Sequence, residues 1–279
     1  MTITHKIAAL TATLATAMSF VAAPAMAFSG TQTSNLQTLK DNLLGTNTTG
    51  LSNFQLSITG NAQAFGTFTG DPFGLGSGIV LSTGRVADLP GPSSSFISTG
   101  FGTTPGDLAE LNLSFFADST ANNLFFNYVF GSEEFPEYGG SSFNDSFELL
   151  LNGTNFAKLT DGKAVTINNL VPGGGSQNNP DYIDNSSGLA ASIIKLDGLT
   201  KVLGFEGLLK QNDTNVLTVR IKDVGDTAYD SAVLIQGSVG TVKPPEPPSE
   251  TVPEPMTMGG LMAGAAMLGA GRKLRARRS

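Results

Sequence analysis

The chain has no cysteine and no tryptophan, and its one histidine is His5. Without cysteine there can be no disulfide staple, no thiol nucleophile and no thiolate metal ligand. With histidine confined to the first few residues, the body of the chain can build neither a histidine-based catalytic triad nor a histidine-ligated zinc site. Basic residues are scarce as well. Phe28–Pro255 holds ten Lys and Arg against all 23 Asp and Glu, a formal charge of −13. That balance excludes a nucleic-acid partner, whose phosphates need a basic face. It also excludes electrostatic attraction to anionic lipid. It suits cation binding and solubility outside a cell. Sugar sites usually offer an exposed aromatic platform. Tryptophan is absent, and of the four tyrosines Tyr138, Tyr182 and Tyr229 are the available substitutes.

The two ends carry what the body lacks. A single Lys6 precedes the apolar Ile7–Ala23, and Ala25-Met26-Ala27 follows as a small-x-small step. This order predicts a secretory signal peptide over residues 1–27, cut between Ala27 and Phe28, with an amphipathic helix or uncleaved anchor as the alternative. A domain exported in this way without disulfides must rely on its core or on a bound metal. At the other end, residues 241–252 are rich in Pro and Glu and read as an extended, solvated linker. Pro253-Glu254-Pro255 is followed by the uncharged Met256–Gly271 and then by Arg272, Lys273, Arg275, Arg277 and Arg278. A membrane-spanning helix takes about 17–25 apolar residues, so the run predicts a short transmembrane helix. The five cations, a basic stop-transfer tail, would stay in the cytoplasm.

Residues 28–240 read as all-β. Thr31–Leu44 predicts one short N-terminal helix, with Leu36, Leu39, Leu43 and Leu44 at helical spacing, Thr33 or Ser34 as cap and Gly45 as stop. Strands are expected at Asn53–Thr59, Ala64–Thr69, Gly78–Ser82, Leu111–Phe116, Asn123–Phe130, Ser146–Leu151, Asn155–Leu159, Val165–Leu170, Ser192–Leu196, Asn215–Lys222 and Ala232–Val239. Asn152-Gly153 marks a hairpin turn. Asp88–Gly106 and Val171–Ser187 read as long loops. Helices do not alternate with strands, so a single antiparallel β-sandwich, jelly-roll-like, is expected rather than a parallel α/β fold.

Val129–Leu150 crowds Glu133, Glu134, Glu137, Asn144 and Asp145 into one loop between two strands. Asp223, Asp226 and Asp230 form a second acidic loop, with Gly225 for the bend. Like charges at this density need a reason, and calcium, which takes six to eight oxygens, supplies one. The expected metal ligands are Glu134, Asn144, Asp145, Asp226 and Asp230, with Glu133, Glu137 and Asp223 as further candidates. The hypothesis requires the two loops to converge. The alternative reading is turn-forming acids that bind their own backbone amides. A third is a pair of catalytic carboxylates acting on polysaccharide, although no separate desolvating pocket is visible for an acid and a base. The spacing is not that of an EF-hand.

Two resemblances follow from these residues. Pro253-Glu254-Pro255, the apolar run and the basic tail together resemble the PEP-CTERM sorting signal. That resemblance implies export by the Sec machinery, passage through the inner membrane, recognition by an exosortase-type sorting enzyme and delivery to the cell surface or extracellular matrix. FNYVFGSEEFPEYGGSSFNDSFELLLNG at Phe126–Gly153, LDGLTKVL at Leu196–Leu203 and IKDVGDTAYDSAVLI at Ile221–Ile235 are similar to the choice-of-anchor L domain. So is GIVLSTG at Gly78–Gly84. Phe135 stands where that family usually has Tyr, and no acidic position departs from its pattern. The family implies a surface role without a defined activity. The expectation is therefore a non-enzymatic, calcium-stabilised surface or matrix module for adhesion or exopolysaccharide binding. A carboxylate-dependent hydrolase and a purely structural protein are the alternatives.

Overall fold

The computed structural model describes residues 27–45, 48–103, 106–237 and 240–241. Among them the strands are β1 Ser29–Gln32, β2 Leu51–Gly60, β3 Phe65–Thr69, β4 Ser77–Ser82, β5 Leu108–Ala117, β6 Asn123–Ser132, β7 Ser146–Leu151, β8 Thr154–Asn155, β9 Val165–Thr166, β10 Tyr182–Asp184, β11 Gly198–Thr200, β12 Leu203–Leu208, β13 Asp213–Lys222 and β14 Ser231–Gln236. The α-helices are α1 Leu36–Leu44, α2 Ile167–Leu170 and α3 Gly188–Ile193, with 3-10 turns at Ala62–Ala64 and Val86–Asp88. Among the described residues no helix is long and apolar enough to cross a membrane. The expected signal sequence up to Met26, the sorting motif, the apolar run and the basic tail lie outside the described residues. The expected cut falls just before Phe28, which is buried against Phe68 at the start of β1.

Alternation sets the layers. In β5 every second residue from Ala109 to Ala117 is buried, and β7 and β13 repeat the pattern. The inward residues join one core, which includes Leu111, Leu113, Phe126, Tyr128, Phe147, Leu149 and Val219. All strand pairs are antiparallel. One sheet runs β1-β3-β4-β14-β6, and β12 and β11 share the far edge of β6, with β10 beyond β11. The other runs β2-β5-β13-β7, with β8 and β9 on β7. From β4 to β7, and again from β12 to β14, successive strands alternate between the sheets. The facing orders β4-β14-β6-β12 and β5-β13-β7-β8 are those of a jelly roll. A second apolar cluster lies on the outer face of the first sheet. It includes Phe68, Val80, Val129, Leu199, Ala232 and Leu234, with Leu89 and Ile97 from the loop laid over it.

Local corrections have local causes. β1 occupies the start of the expected helix, because Asn35, not Thr33 or Ser34, caps α1 by accepting the Thr38 amide at 2.9 Å. Val165–Leu170 is not one strand. Thr166 accepts the Asn169 amide at 3.2 Å and starts the helical turn α2, which buries Ile167 and Leu170. Ser192–Leu196 gives way to α3, so three short helices stand where one was expected. The expected strand Asn155–Leu159 shrinks to β8. β10 falls inside an expected loop, and β12 was hidden by its two glycines, although Leu203 and Phe205 point inward in strict alternation. At the expected hairpin, Asn152 and Gly153 both have positive φ, 52° and 85°, as the tight turn requires.

The topology brings several strand ends together. β6, β13 and β4 end, and β5, β7, β11 and β14 begin, at one end of the sandwich. Both acidic loops lie there.

Candidate functional site

The loop after β6 and the loop after β13 are tied together. The Val224 amide donates to Asp145 Oδ1 at 2.9 Å, and the Asn144 amide donates to the Val224 carbonyl at 3.2 Å. Ser231 Oγ donates to Asp145 Oδ2 at 2.7 Å, and the Glu133 amide donates to the Asp230 carbonyl at 3.1 Å. The convergence that a shared cation requires is therefore present.

On the second sheet the register makes a row of acids. Lys222 pairs with Leu108 on one side and Ser146 on the other. One residue on, Asp223 lies between Asp107 and Asp145, all three on the inward side of their strands by parity with Ala109, Ile221 and Phe147. Glu134, from the first sheet, faces this row, with the charges of Asp145 and Asp226 as its acidic neighbours. Asp107 is well anchored, accepting the Phe101 amide at 2.7 Å and Thr103 Oγ1 at 2.6 Å. Glu134 is not. It is 1% exposed, and neither carboxyl oxygen has a hydrogen-bond partner. Asp223 Oδ1 is likewise buried and unpartnered. A buried polar group left unpaired costs about 1–3 kcal/mol, more when charged. Two carboxylates about 5 Å apart repel by about 3 kcal/mol at an effective dielectric of about 20.

Titration follows from this packing. Burial, then the charges of Asp145 and Asp226, pushes Glu134 up to about 8. Burial with Asp145, Asp226, Asp107 and Glu134 pushes Asp223 up to about 9. Burial lifts Asp145 to about 7 against the hydrogen bonds from Ser231 and Val224. Burial, with Asp197 and Asp230, lifts Glu133 to about 9, and burial lifts Asp230 to about 6. Elsewhere the same residue types behave in the ordinary way. Arg220 donates to Glu110 at 2.5 Å and to Glu148 at 3.0 Å, and Lys222 reaches Glu148 at 3.1 Å. Burial opposes ionisation there too, but the Asn112 amide donating to Glu110 at 2.7 Å, the Arg220 and Lys222 hydrogen bonds and their positive charges win and hold both glutamates below the usual range. Among the described residues no Lys or Arg forms an ion pair with any acid of the two loops.

The remaining expected ligands are placed differently. Asn144 Oδ1 accepts the Asn168 amide at 2.9 Å and acts as a strut between the loop and α2. Asp226 is half-buried and accepts the Ala228 amide at 3.1 Å, a turn of the kind the alternative reading foresaw. Glu137 is exposed, although its charge reaches Glu133 and Asp197. Asp230 follows the outward parity of Ala232, so its carboxylate is carried away from the inner row, and Thr99 N donates to it at 2.6 Å. Among the described residues no three acids are grouped closely enough to hold a metal ion between them. Asp107 and Asp197 were missed as site residues. Asp107 sits at the end of an expected loop, and Asp197 lies inside a block noted only for its resemblance.

Rings cover this end. Tyr138 lies 4.8 Å from Tyr229 and 5.4 Å from Phe143, centroid to centroid, and Tyr229 lies 5.2 Å from Phe96. Phe96 is 62% exposed. A polar groove of about 260 Å³ lies apart from the buried acids, between Asp161, Asn168, Pro172 and Asn179.

A family model described as the choice-of-anchor L domain matches residues 27–239. No curated protein matches the chain significantly in sequence. Among solved structures, TmCBM61 in complex with β-1,4-galactotriose aligns at 9% identity over 71% of this chain and 95% of that one, with a TM-score of 0.27. A β-glucosidase from Kluyveromyces marxianus in complex with glucose aligns at 13% identity over 73% of this chain and 19% of that one, with a TM-score of 0.22. Scores this low transfer neither fold nor ligand.

Proposed function

The chain belongs to the choice-of-anchor L family, and we propose that it is an exported, non-enzymatic surface or matrix protein whose sandwich is stabilised by calcium. The observation that carries this reading is Glu134, fully buried between the sheets with both carboxyl oxygens unpartnered and no cationic side chain paired to it. Calcium is bound by carboxylate, carbonyl and water oxygens. Glu134, Asp145, Asp223 and Asp226 would hold it, and the ion would neutralise their charge and lock the two loops together. A turn-forming role accounts for Asn144, Asp226 and Asp107. It leaves Glu134 and Asp223 unexplained.

Export and sorting rest on the sequence of the ends. Pro253-Glu254-Pro255, the apolar run and the five cations make the chain a substrate for an exosortase-type enzyme after Sec export, held by its C-terminal helix before processing and delivered to the surface or matrix after it. Burial of the key carboxylates supports the non-enzymatic reading, since a substrate would have to reach them. The aromatic chain from Phe96 to Phe143 supports binding of exopolysaccharide, because tyrosine and phenylalanine faces can replace the missing tryptophan.

The test is thermal unfolding of the purified protein with calcium and after metal removal. Calcium is expected to raise the melting temperature by several degrees, since an ion that binds only the folded state stabilises it by mass action. Identical melts in calcium and in chelator would overturn the calcium reading.

A further inference from the structure

We propose that β2 is a self-association edge, at which two copies of this chain pair strand to strand about a two-fold axis. β2 closes one side of the second sheet and pairs only with β5. Among the described residues nothing else hydrogen-bonds to the main chain of residues 55–60. The other sheet edges are blunted. β1 has four residues, β10 three, and β8 and β9 two each. β12 has six, interrupted by Gly204 and Gly207, and carries the exposed Glu206. β2 has ten. It contains neither a charged residue nor a proline, which commonly keep strand edges from pairing. A bulge between Ser52 and Gln55 spoils its first part, with Asn53 at φ 56°, but residues 55–60 run in unbroken register with β5.

The inner row of β2 is unfinished. Leu111 and Leu113 on β5 are 0% and 1% exposed, whereas Ile58 and Leu56, their register partners, are only half-buried. Phe54, beside Phe115, is half-buried as well. α1 touches β2 and sends Leu39, Leu43 and Leu44 into the core, yet leaves this row half open. A strand lying in the same plane would cover it, provided its core side is apolar and its outer side polar. A second β2 is such a strand. Side chains alternate along a strand, so an antiparallel pair centred on Ser57 sets Leu56 of each copy opposite Ile58 of the other, and Gln55 opposite Thr59. Apolar then meets apolar on the core side, and neutral polar meets neutral polar outside. Charge selects the same place. Phe28–Pro255 carries −13, so two copies repel over most of their surface, and β2 offers a neutral strip. Glu110, opposite Thr59 on β5, is already paired with Arg220. This edge does not depend on the cation reading above.

Sedimentation velocity of the purified protein over a wide concentration range measures the association. A monomer–dimer equilibrium is expected, tightening at higher salt as the repulsion between copies is screened. Ser57 is exposed and lies on the proposed axis. Ser57→Lys sets two like charges opposite each other and should weaken the dimer about tenfold or more, with circular dichroism as the check on folding. The chain has no cysteine, so Ser57→Cys introduces a single thiol. Under mild oxidation this variant should form a disulfide-linked dimer much faster than Ser119→Cys, which places a thiol in the exposed turn after β5. If Ser57→Lys unfolds, the cross-linking decides. A wild type that stays monomeric at every concentration overturns the proposal. So does a dimer that folded Ser57→Lys leaves unchanged, and so does equal cross-linking of the two cysteine variants, since either puts the contact elsewhere.

Discussion

Glu133 and Glu134 are adjacent in the chain and face opposite sides of the same sheet. Glu134 looks into the sandwich at Asp145 and Asp226, whereas Glu133 looks outward at Asp197 and Asp230. β6 ends at Ser132 and the two glutamates open the turn that follows it, where the Glu133 amide still donates to the Asp230 carbonyl at 3.1 Å. One acidic dipeptide therefore meets acids on both sides, and Asp230 links them, since its charge reaches Asp145 and that of Asp107 reaches it. Each group is completed by strands far away in sequence, and neither is balanced by a Lys or Arg ion pair.

The first consequence is a pH dependence with an unusual sign. Glu133, Glu134, Asp145 and Asp223 are lifted to between about 7 and about 9 in the folded protein. Unfolded carboxyls titrate near pH 4. Between these values the native state binds more protons than the unfolded state, so stability falls as pH rises. The metal-free protein should be most stable at about pH 5 and lose stability steadily towards about pH 9. Saturating calcium should flatten the slope. Urea melts at several pH values, with and without calcium, would measure both, and a metal-free stability that rises from pH 5 to 9 would contradict the packing described.

Glu134→Gln separates a cation site from a structural carboxylate by sign. Without metal, the neutral amide has no ionisation to suppress, so the variant should melt above the wild type at pH 9. Each kcal/mol is worth about 2–4 °C in a domain of this size. In calcium the order should reverse, because the variant has lost a charged ligand. A variant less stable than the wild type in both conditions would show that Glu134 serves the apo fold directly.

The layers were legible in the sequence because alternation is a local signal, and β5, β7 and β13 carry it cleanly. The Asn152-Gly153 turn was equally local. β12 was missed because Gly204 and Gly207 dilute its apolar pattern, and α2 because one threonine cap outweighs the apolar run that follows. The two acidic loops were visible as charge density, and their convergence was a condition of the calcium reading that the strand register meets. Their division between two faces was not visible, because it depends on register. Only the pairing of Ser132 with Ser231 and Gly198 brings Asp230 and Asp197 beside Glu133.

On the outer face of the second sheet, Arg220 holds Glu110 and Glu148 across three strands. Replacing it with Met keeps much of the packing, leaves Glu110 without an ion-pair partner and leaves Glu148 to Lys222 alone. A cost of about 1–3 kcal/mol is expected, between that of surface pairs and that of buried ones. Unlike substitutions at the acid loops, this loss should be the same with and without calcium. A calcium-dependent cost would mean that the sheet face and the loop end are coupled.

Gly84 tests how Asp230 is held in place. A Cβ added there would lie 1.9 Å from Asp230 Oδ2. Asp230 cannot simply step aside, because its other carboxyl oxygen accepts the Thr99 amide at 2.6 Å. Gly84→Ala should therefore displace the carboxylate and cost about 1–3 kcal/mol, as an overpacked contact does. The clash needs both partners. In an Asp230→Ala background the same Gly84→Ala change should cost less than about 0.5 kcal/mol, giving a clear coupling in a double-mutant cycle. Additive costs in that cycle would mean that the Asp230 side chain does not pack on Gly84.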